Sequence, residues 1–203
     1  MRKRYTTSRL IFRMADPAFA RMTAEFFSEN RELFEKCEER RTEEFFLPEF
    51  QEIWLDIKRE KAKKGEWYSF YLFEKGKPHK VVGTLSLSQI QYGSLCSGVI
   101  GYRIDRLRQG EGLGTEAARE GTRIGFEELR LHRMEADVMP ENLASLRVLE
   151  KCGYEKEGYF REYLKINGKW EDHIHIAVIR TAERTKQQEI AVVHYSKIDK
   201  ITT

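Results

Sequence analysis

RLRQGEGLGTEA (Arg106–Ala117) sets three glycines, Gly110, Gly112 and Gly114, at alternate positions between a basic run and the start of a helical pattern. A glycine inside regular structure costs about 0.5–1 kcal/mol against alanine, so three together mark a backbone that turns tightly or admits a guest at close range. LCSGVIGYRI, before it, reads as a strand, and residues 115–130, after it, read as a helix. The free N–H groups of that helix N-terminus would face the turn, which suits an anion such as a phosphate. The spacing is not GxGxxG and no GK[ST] follows, so neither the dinucleotide fingerprint nor the triphosphate loop fits. The string does fit Gln/Arg-x-x-Gly-x-Gly over Gln109, Gly110, Glu111, Gly112, Leu113 and Gly114.

Working outward, RLIFRM near the N-terminus has strand composition and runs into Asp16-Pro17, a cap and first-turn pair for a helix over residues 18–27. Residues 43–64 carry helical periodicity, with Phe46, Phe50, Ile53, Trp54 and Ile57 predicted on one face. WYSFYLF, KVVGTLSLSQI and LCSGVIGYRI then alternate as antiparallel strands. Beyond the glycines, MEADVM reads as a strand and residues 142–151 as a helix. EYLKI and KWEDHIHIAVI flank Asn167-Gly168, a strong hairpin signal.

The 203 residues suit one domain, and 36 Lys plus Arg against 33 Asp plus Glu give too weak an excess to require nucleic acid. Three widely spaced cysteines without a CxxC indicate neither a disulfide framework nor structural zinc. No run of 18 apolar residues is present, and the only apolar patch near the N-terminus, Leu10 to Phe12, is far shorter than a signal-peptide core. The expectation is a soluble cytoplasmic protein that binds neither nucleic acid nor membrane.

The glycine string is joined downstream by ENLASLRVLEKCGYEKEGY (Glu141–Tyr159), and the pair resembles the two signature segments of the GNAT superfamily of acetyl-CoA-dependent N-acetyltransferases. With TSRLIFR, AEFFSENRELFE, MPEN and INGKWEDH, the chain is most similar to the RimJ/RimL type, which acetylates alanine or serine N-termini of ribosomal proteins. The resemblance implies an α+β GNAT fold: a mixed, mostly antiparallel sheet flanked by helices, with two central parallel strands that splay apart, here SGVIGYRI and MEADVM. It implies a domain over residues 5–180 and a C-terminal extension over 181–203.

Acetyl-CoA is then expected in the gap. Backbone groups of Tyr102, Arg103 and Ile104 would hold its pantetheine arm, and N–H groups of Gln109, Gly110, Gly112, Leu113, Gly114 and Thr115 its pyrophosphate. Arg106, Arg108 and Arg119 could add charge. Asn142 and Ser145 match family positions beside the coenzyme arm and thiol, although Asn142 also suits a helix N-cap. Many relatives in the superfamily carry, seven residues after this asparagine, a tyrosine that protonates the leaving thiolate; here that residue is Leu149.

An α-amine with a pKa of about 8 must shed a proton before it attacks. Glu162 and Asp172 in the closing hairpin are the favoured carboxylates for catalysis, with Ser145, and Glu135 and Asp137 are alternatives on one face of their strand. Cys96 and Cys152 as acylated nucleophiles, and His173 with His175 as metal ligands, are weaker readings, since no base or further ligands accompany them in the pattern. The acceptor is a protein N-terminus or a small amine, and a non-catalytic acyl-CoA-binding module is a third possibility. The tail's apolar run, Ile190 to Val193, suggests a short extra strand or helix packed on its own domain or, as the alternative, contact with a second subunit in a homodimer.

Overall fold

The computed structural model describes residues 1–181, and the apolar run of the C-terminal extension, with the subunit contact it suggests, lies outside them. Eight strands form one sheet: β1 (Arg4–Thr6), β2 (Leu10–Met14), β3 (Tyr68–Glu74), β4 (Lys77–Gln91), β5 (Ser97–Ile104), β6 (Arg133–Val138), β7 (Glu155–Ile166) and β8 (Lys169–Ile179), in the order β1-β2-β3-β4-β5-β6-β8-β7. Every neighbouring pair is antiparallel except β5 and β6, which run parallel. Five α-helices accompany the sheet: α1 (Ala20–Glu29), α2 (Arg31–Phe34), α3 (Pro48–Lys63), α4 (Leu113–Glu127) and α5 (Leu143–Lys151). This is the mixed, mostly antiparallel α+β architecture that the sequence predicts.

Strand alternation sorts the apolar residues onto two faces, and each face has its own core. Phe70, Leu85, Ile100, Met134 and Ile176 pack beneath α4 and α5 with Ile124, Leu146 and Leu149. Tyr71, Phe73 and Val81 point the other way and meet Phe19, Phe26 and Leu55 under α1 and α3. Helix α4 sits very close to the sheet: a Cβ on Gly121 would lie 2.6 Å from Leu85 Cδ1, and one on Gly125 2.4 Å from Met134 Sδ. Those two glycines serve packing.

Two expectations change. The helix predicted over residues 43–64 is broken, because Pro48 excludes the helical region for Leu47, which takes ψ 141° between a 3₁₀ turn at Glu43–Phe46 and α3. Its buried face is also different: Gln51, Leu55 and Ala62 are inside, whereas Phe50, Ile53 and Ile57 are exposed. Gln51 is admitted to the core by a 2.6 Å hydrogen bond to the Phe45 carbonyl, made possible by that same break.

The hairpin turn forms as predicted, with Asn167 and Gly168 both at positive φ, 52° and 86°. Strand β7 is longer than expected and bulged, with register shifts between Lys156 and Gly158 and between Phe160 and Leu164.

Candidate active site

Strands β5 and β6 pair only from Ser97–Arg133 to Val99–Glu135, yet β5 runs on to Ile104 and β6 to Val138. Beyond Val99 the two strands part, leaving the edge of β5 that includes Tyr102, Arg103 and Ile104 without a strand partner on that side among the described residues. Such an edge offers backbone donors and acceptors at strand spacing to an extended amide-bearing ligand. The gap is the one that the sequence predicts.

At the end of β5, Asp105 caps a short turn by accepting from Leu107 N at 2.9 Å, and the chain then enters the glycine loop. Gly110 and Gly112 take φ of 79° and 80°, which residues with a Cβ rarely adopt. Gly112 is the N-cap of α4 and has no side chain to satisfy the first-turn N–H groups of Leu113, Gly114 and Thr115. Gly114 differs: it has ordinary helical φ, and a Cβ there would make ordinary contact with Val148 and Tyr102 at 3.5 and 3.7 Å, so neither backbone conformation nor packing requires glycine at that position. Glu116, a carboxylate in the first turn, is drawn aside by Thr7, Ser8 and Arg9 at 2.5 to 3.0 Å. The N-terminus of α4 is therefore an open donor cradle that fits a pyrophosphate.

The predicted arginines are tied into the scaffold. Arg106 donates to the Glu29 carbonyl at 3.0 Å, Arg108 bonds Glu74 and Glu111, and Arg119 donates to the Lys151 carbonyl at 3.1 Å. Arg103 is held by both oxygens of Glu38, at 2.5 and 2.6 Å. The cation that the sequence did not single out is Arg9, which bonds the Glu111 carbonyl at 2.9 Å and comes within 3.6 Å of a Cβ placed on Gly112. Only the pairing of β2 with β3 brings it there.

Across the cleft, Asn142 caps α5 by accepting from Ser145 N at 3.1 Å. The Ser145 hydroxyl lies 3.0 Å from the Tyr102 hydroxyl, so β5 and α5 are joined by a pair of proton-bearing groups at the gap. Leu149 is fully buried in the core. Replacing Asn142 by Ala is expected to remove about 1 kcal/mol of stability through loss of the cap, with acetyl-CoA affinity little changed; scanning calorimetry and coenzyme titration check the two parts.

Asp137 and His175 alternate onto the opposite face of the sheet, away from the buried Val138 and Ile176. Asp137 lies two residues past the last β5–β6 pair and accepts from His175 Nδ1 at 2.7 Å; His175 Nε2 lies 3.3 Å from Arg133, and its ring stacks on Phe160. Arg133 is in turn paired with Glu135 and Glu157. Glu162 and Asp172 are brought together on the β7 bulge, where Asp172 accepts from Glu162 N and from the Tyr159 hydroxyl, both at 2.7 Å. Those bonds hold the Asp172 carboxyl below its ordinary range. The Asn167 side chain accepts from Arg40 N at 2.8 Å and donates to the Glu35 carbonyl at 3.1 Å, clasping the hairpin tip to the segment after α2.

Burial pushes the Cys152 thiol up to about 11, against the direction that would make it a nucleophile. On the second face, burial pushes Lys58 down to about 7. Between that value and the ordinary lysine value of about 10.4, the unfolded chain binds a proton that the folded chain does not, so stability rises with pH. Lys58→Met is expected to flatten this rise between pH 7 and 10, read from urea midpoints.

A family model described as an acetyltransferase (GNAT) domain matches residues 9–155. The chain belongs to the GNAT acetyltransferases. It is 43% identical over 152 residues to the Bacillus subtilis protein named "Probable N-acetyltransferase YjcK", covering 75% of this chain and 83% of that one. Over 171 residues it is 33% identical to the [ribosomal protein uS5]-alanine N-acetyltransferase of Escherichia coli, covering 84% of this chain and 88% of the relative. The solved ribosomal-protein-S5-alanine acetyltransferase of Vibrio fischeri superposes with a TM-score of 0.83 at 32% identity, over 88% of this chain and 97% of that one. Mycobacterium smegmatis RimJ, solved with CoA-disulfide, gives 0.79 at 27% identity over 86% and 83%. This GNAT enzyme is an acetyl-CoA-dependent N-acetyltransferase related to the ribosomal-protein alanine and serine acetyltransferases. Acetyl-CoA is its co-substrate, matched here by the donor cradle of α4 and the open edge of β5.

Proposed function

We propose that the enzyme acetylates the α-amine of a protein N-terminus by direct attack within a ternary complex. The observation that carries this reading is the two-sided gap between β5 and β6: the elements expected to hold the coenzyme lie with α4 and α5, and Asp137 lies on the other face. An amine arriving from that second face meets the thioester through the opening. The relationship to the uS5-alanine enzyme supports a protein N-terminus as acceptor.

Asp137, held in place by His175, takes the proton from the ammonium, directly or through one water. It is better placed than Glu162 or Asp172, because Asp172 is committed to the hairpin bulge and Asp137 stands on the part of β6 that has left β5. The neutral amine nitrogen bonds to the thioester carbon, the C–S bond breaks, and the excess proton left on that nitrogen is relayed to the departing thiolate through the Ser145 and Tyr102 hydroxyls, both of which end protonated. No covalent enzyme intermediate forms. The catalytic unit spans residues 5–180, since β1 to β8 all belong to one sheet, and the reading implies a cytoplasmic setting, where new protein N-termini are met.

Thiol release from acetyl-CoA with a panel of N-terminal peptides and small amines tests the acceptor. Peptides are expected to give the higher kcat/KM, and a polyamine or amino sugar that outruns all peptides overturns the choice. Initial-velocity plots are expected to intersect; parallel lines, or a competent acetyl group on Cys96 or Cys152, overturn direct attack.

A further inference from the structure

Beneath α3, on the face from which the acceptor would arrive, lies a cavity of about 120 Å³. It is smaller than the roughly 150 Å³ that accommodates benzene in an engineered core, and so suits a short side chain. Its walls are aromatic, but three hydrogen-bond donors in them lack full partners. The Lys58 ammonium makes one hydrogen bond, 3.2 Å to the Tyr71 hydroxyl, and has no carboxylate within ion-pair distance among the described residues. The Ser69 hydroxyl is without a partner although the residue is only 4% exposed. The buried indole N–H of Trp67 is also unpartnered. Three acids also line the cavity: Glu38 is engaged by Arg103, Glu35 by Arg31, and Glu39 is the third.

An ammonium enclosed without a counter-ion is costly, and so is each buried unsatisfied donor. One ligand group resolves all three: an anion that brings charge for Lys58 and lone pairs for Ser69 and Trp67. A neutral carbonyl would leave the cation uncompensated. Position limits the reach. The cavity borders Thr84 and Ser86, whose strand partners are Arg103 and Gly101 on the open part of β5. Two strand spacings, about 10 Å, separate β3, which carries Ser69 and Tyr71, from the gap. An acidic side chain on the second residue of an extended acceptor covers that span, whereas a carboxylate on the residue that bears the amine falls short of it.

Resting on the acetyltransferase reading above, we propose that this cavity is a specificity pocket for a carboxylate carried close to the acceptor amine, bound by Lys58 with help from Ser69 and Trp67. The carboxylate belongs to an acidic side chain on the residue that follows the acceptor amine in a peptide, and free glutamate is the comparison that tests this. Burial pushes Lys58 down to about 7, and the groups facing it are Tyr71, Arg103, Arg41 and Glu38; a bound anion would favour its charged form.

The test compares peptides with Glu or Gln at position two, and free glutamate with glutamine, on the full chain and on Lys58→Met and Lys58→Arg. Expected is a preference of about tenfold or more in kcat/KM for Glu over Gln, mostly in KM, because one charge-assisted hydrogen bond is worth that much. The preference should collapse in Lys58→Met and largely return in Lys58→Arg. A preference for peptides over free glutamate assigns the carboxylate to a side chain, and the reverse overturns that assignment. Calorimetric binding of the N-acetylated Glu and Gln products gives a readout independent of turnover. Equal binding of the two by the wild-type chain, or a preference unchanged in folded Lys58→Met, overturns the pocket. Carboxylate-selective binding without thiol release from any amine would instead overturn the acetyltransferase reading and leave the pocket standing.

Discussion

Gly112→Asp is expected to abolish measurable acetyl-CoA binding while leaving the fold intact. The backbone at Gly112 has φ 80°, a conformation that aspartate tolerates better than most side chains, at a cost of about 1–2 kcal/mol. Space is available, since the nearest atom to a Cβ there is Arg9 Nη2 at 3.6 Å. An aspartate at the N-cap of α4 would itself accept from the first-turn N–H groups and place a negative charge on the positive end of the helix dipole. Both effects favour the helix and oppose a pyrophosphate at the same spot. Loss of two charge-assisted hydrogen bonds, about 1.5–3 kcal/mol each, weakens affinity by a hundredfold or more. Calorimetry on a variant with wild-type circular dichroism decides the point, and unchanged affinity would move the phosphates away from this loop.

The second large effect belongs to Asp137. Changing it to Asn keeps the shape and a hydrogen bond to His175 but removes the charge that accepts a proton, so kcat is expected to fall by about 10²–10⁴ with acetyl-CoA affinity unchanged. The loss should shrink as pH rises through about 8, because an α-amine above its own pKa needs no base. Glu162→Gln and Asp172→Asn are the controls. If either reproduces the pH-dependent loss and Asp137→Asn does not, the proton leaves through the hairpin.

Much of the turn and cap structure was legible because its signals are local. A glycine that needs positive φ, an asparagine that caps the turn after it and an Asn-Gly pair between alternating runs act through bonds a few residues away, and Gly112, Asn142 and Asn167-Gly168 behave as their neighbours dictate. Pro48 carried an equally local signal, and helical periodicity read across it gave an unbroken helix. The exposed stripe of Phe50, Ile53 and Ile57 was not recoverable in the same way, since which side of a helix meets a sheet depends on what the sheet presents.

The sequence alone determined the family, the glycine turn ahead of α4, the hairpin and the absence of a tyrosine at Leu149. Tertiary structure decided the rest of the site: where β5 leaves β6, that Asp137 lies past that point against His175, that Arg9 reaches the glycine loop, and that Lys58, Ser69 and Trp67 share one cavity. Each of these joins residues far apart in the chain or turns on strand register, where a shift of one residue sends a side chain to the opposite face. Dihedral preferences and caps are set within a turn or two of chain. Register is set only when the two faces of the whole sheet bury their apolar residues together.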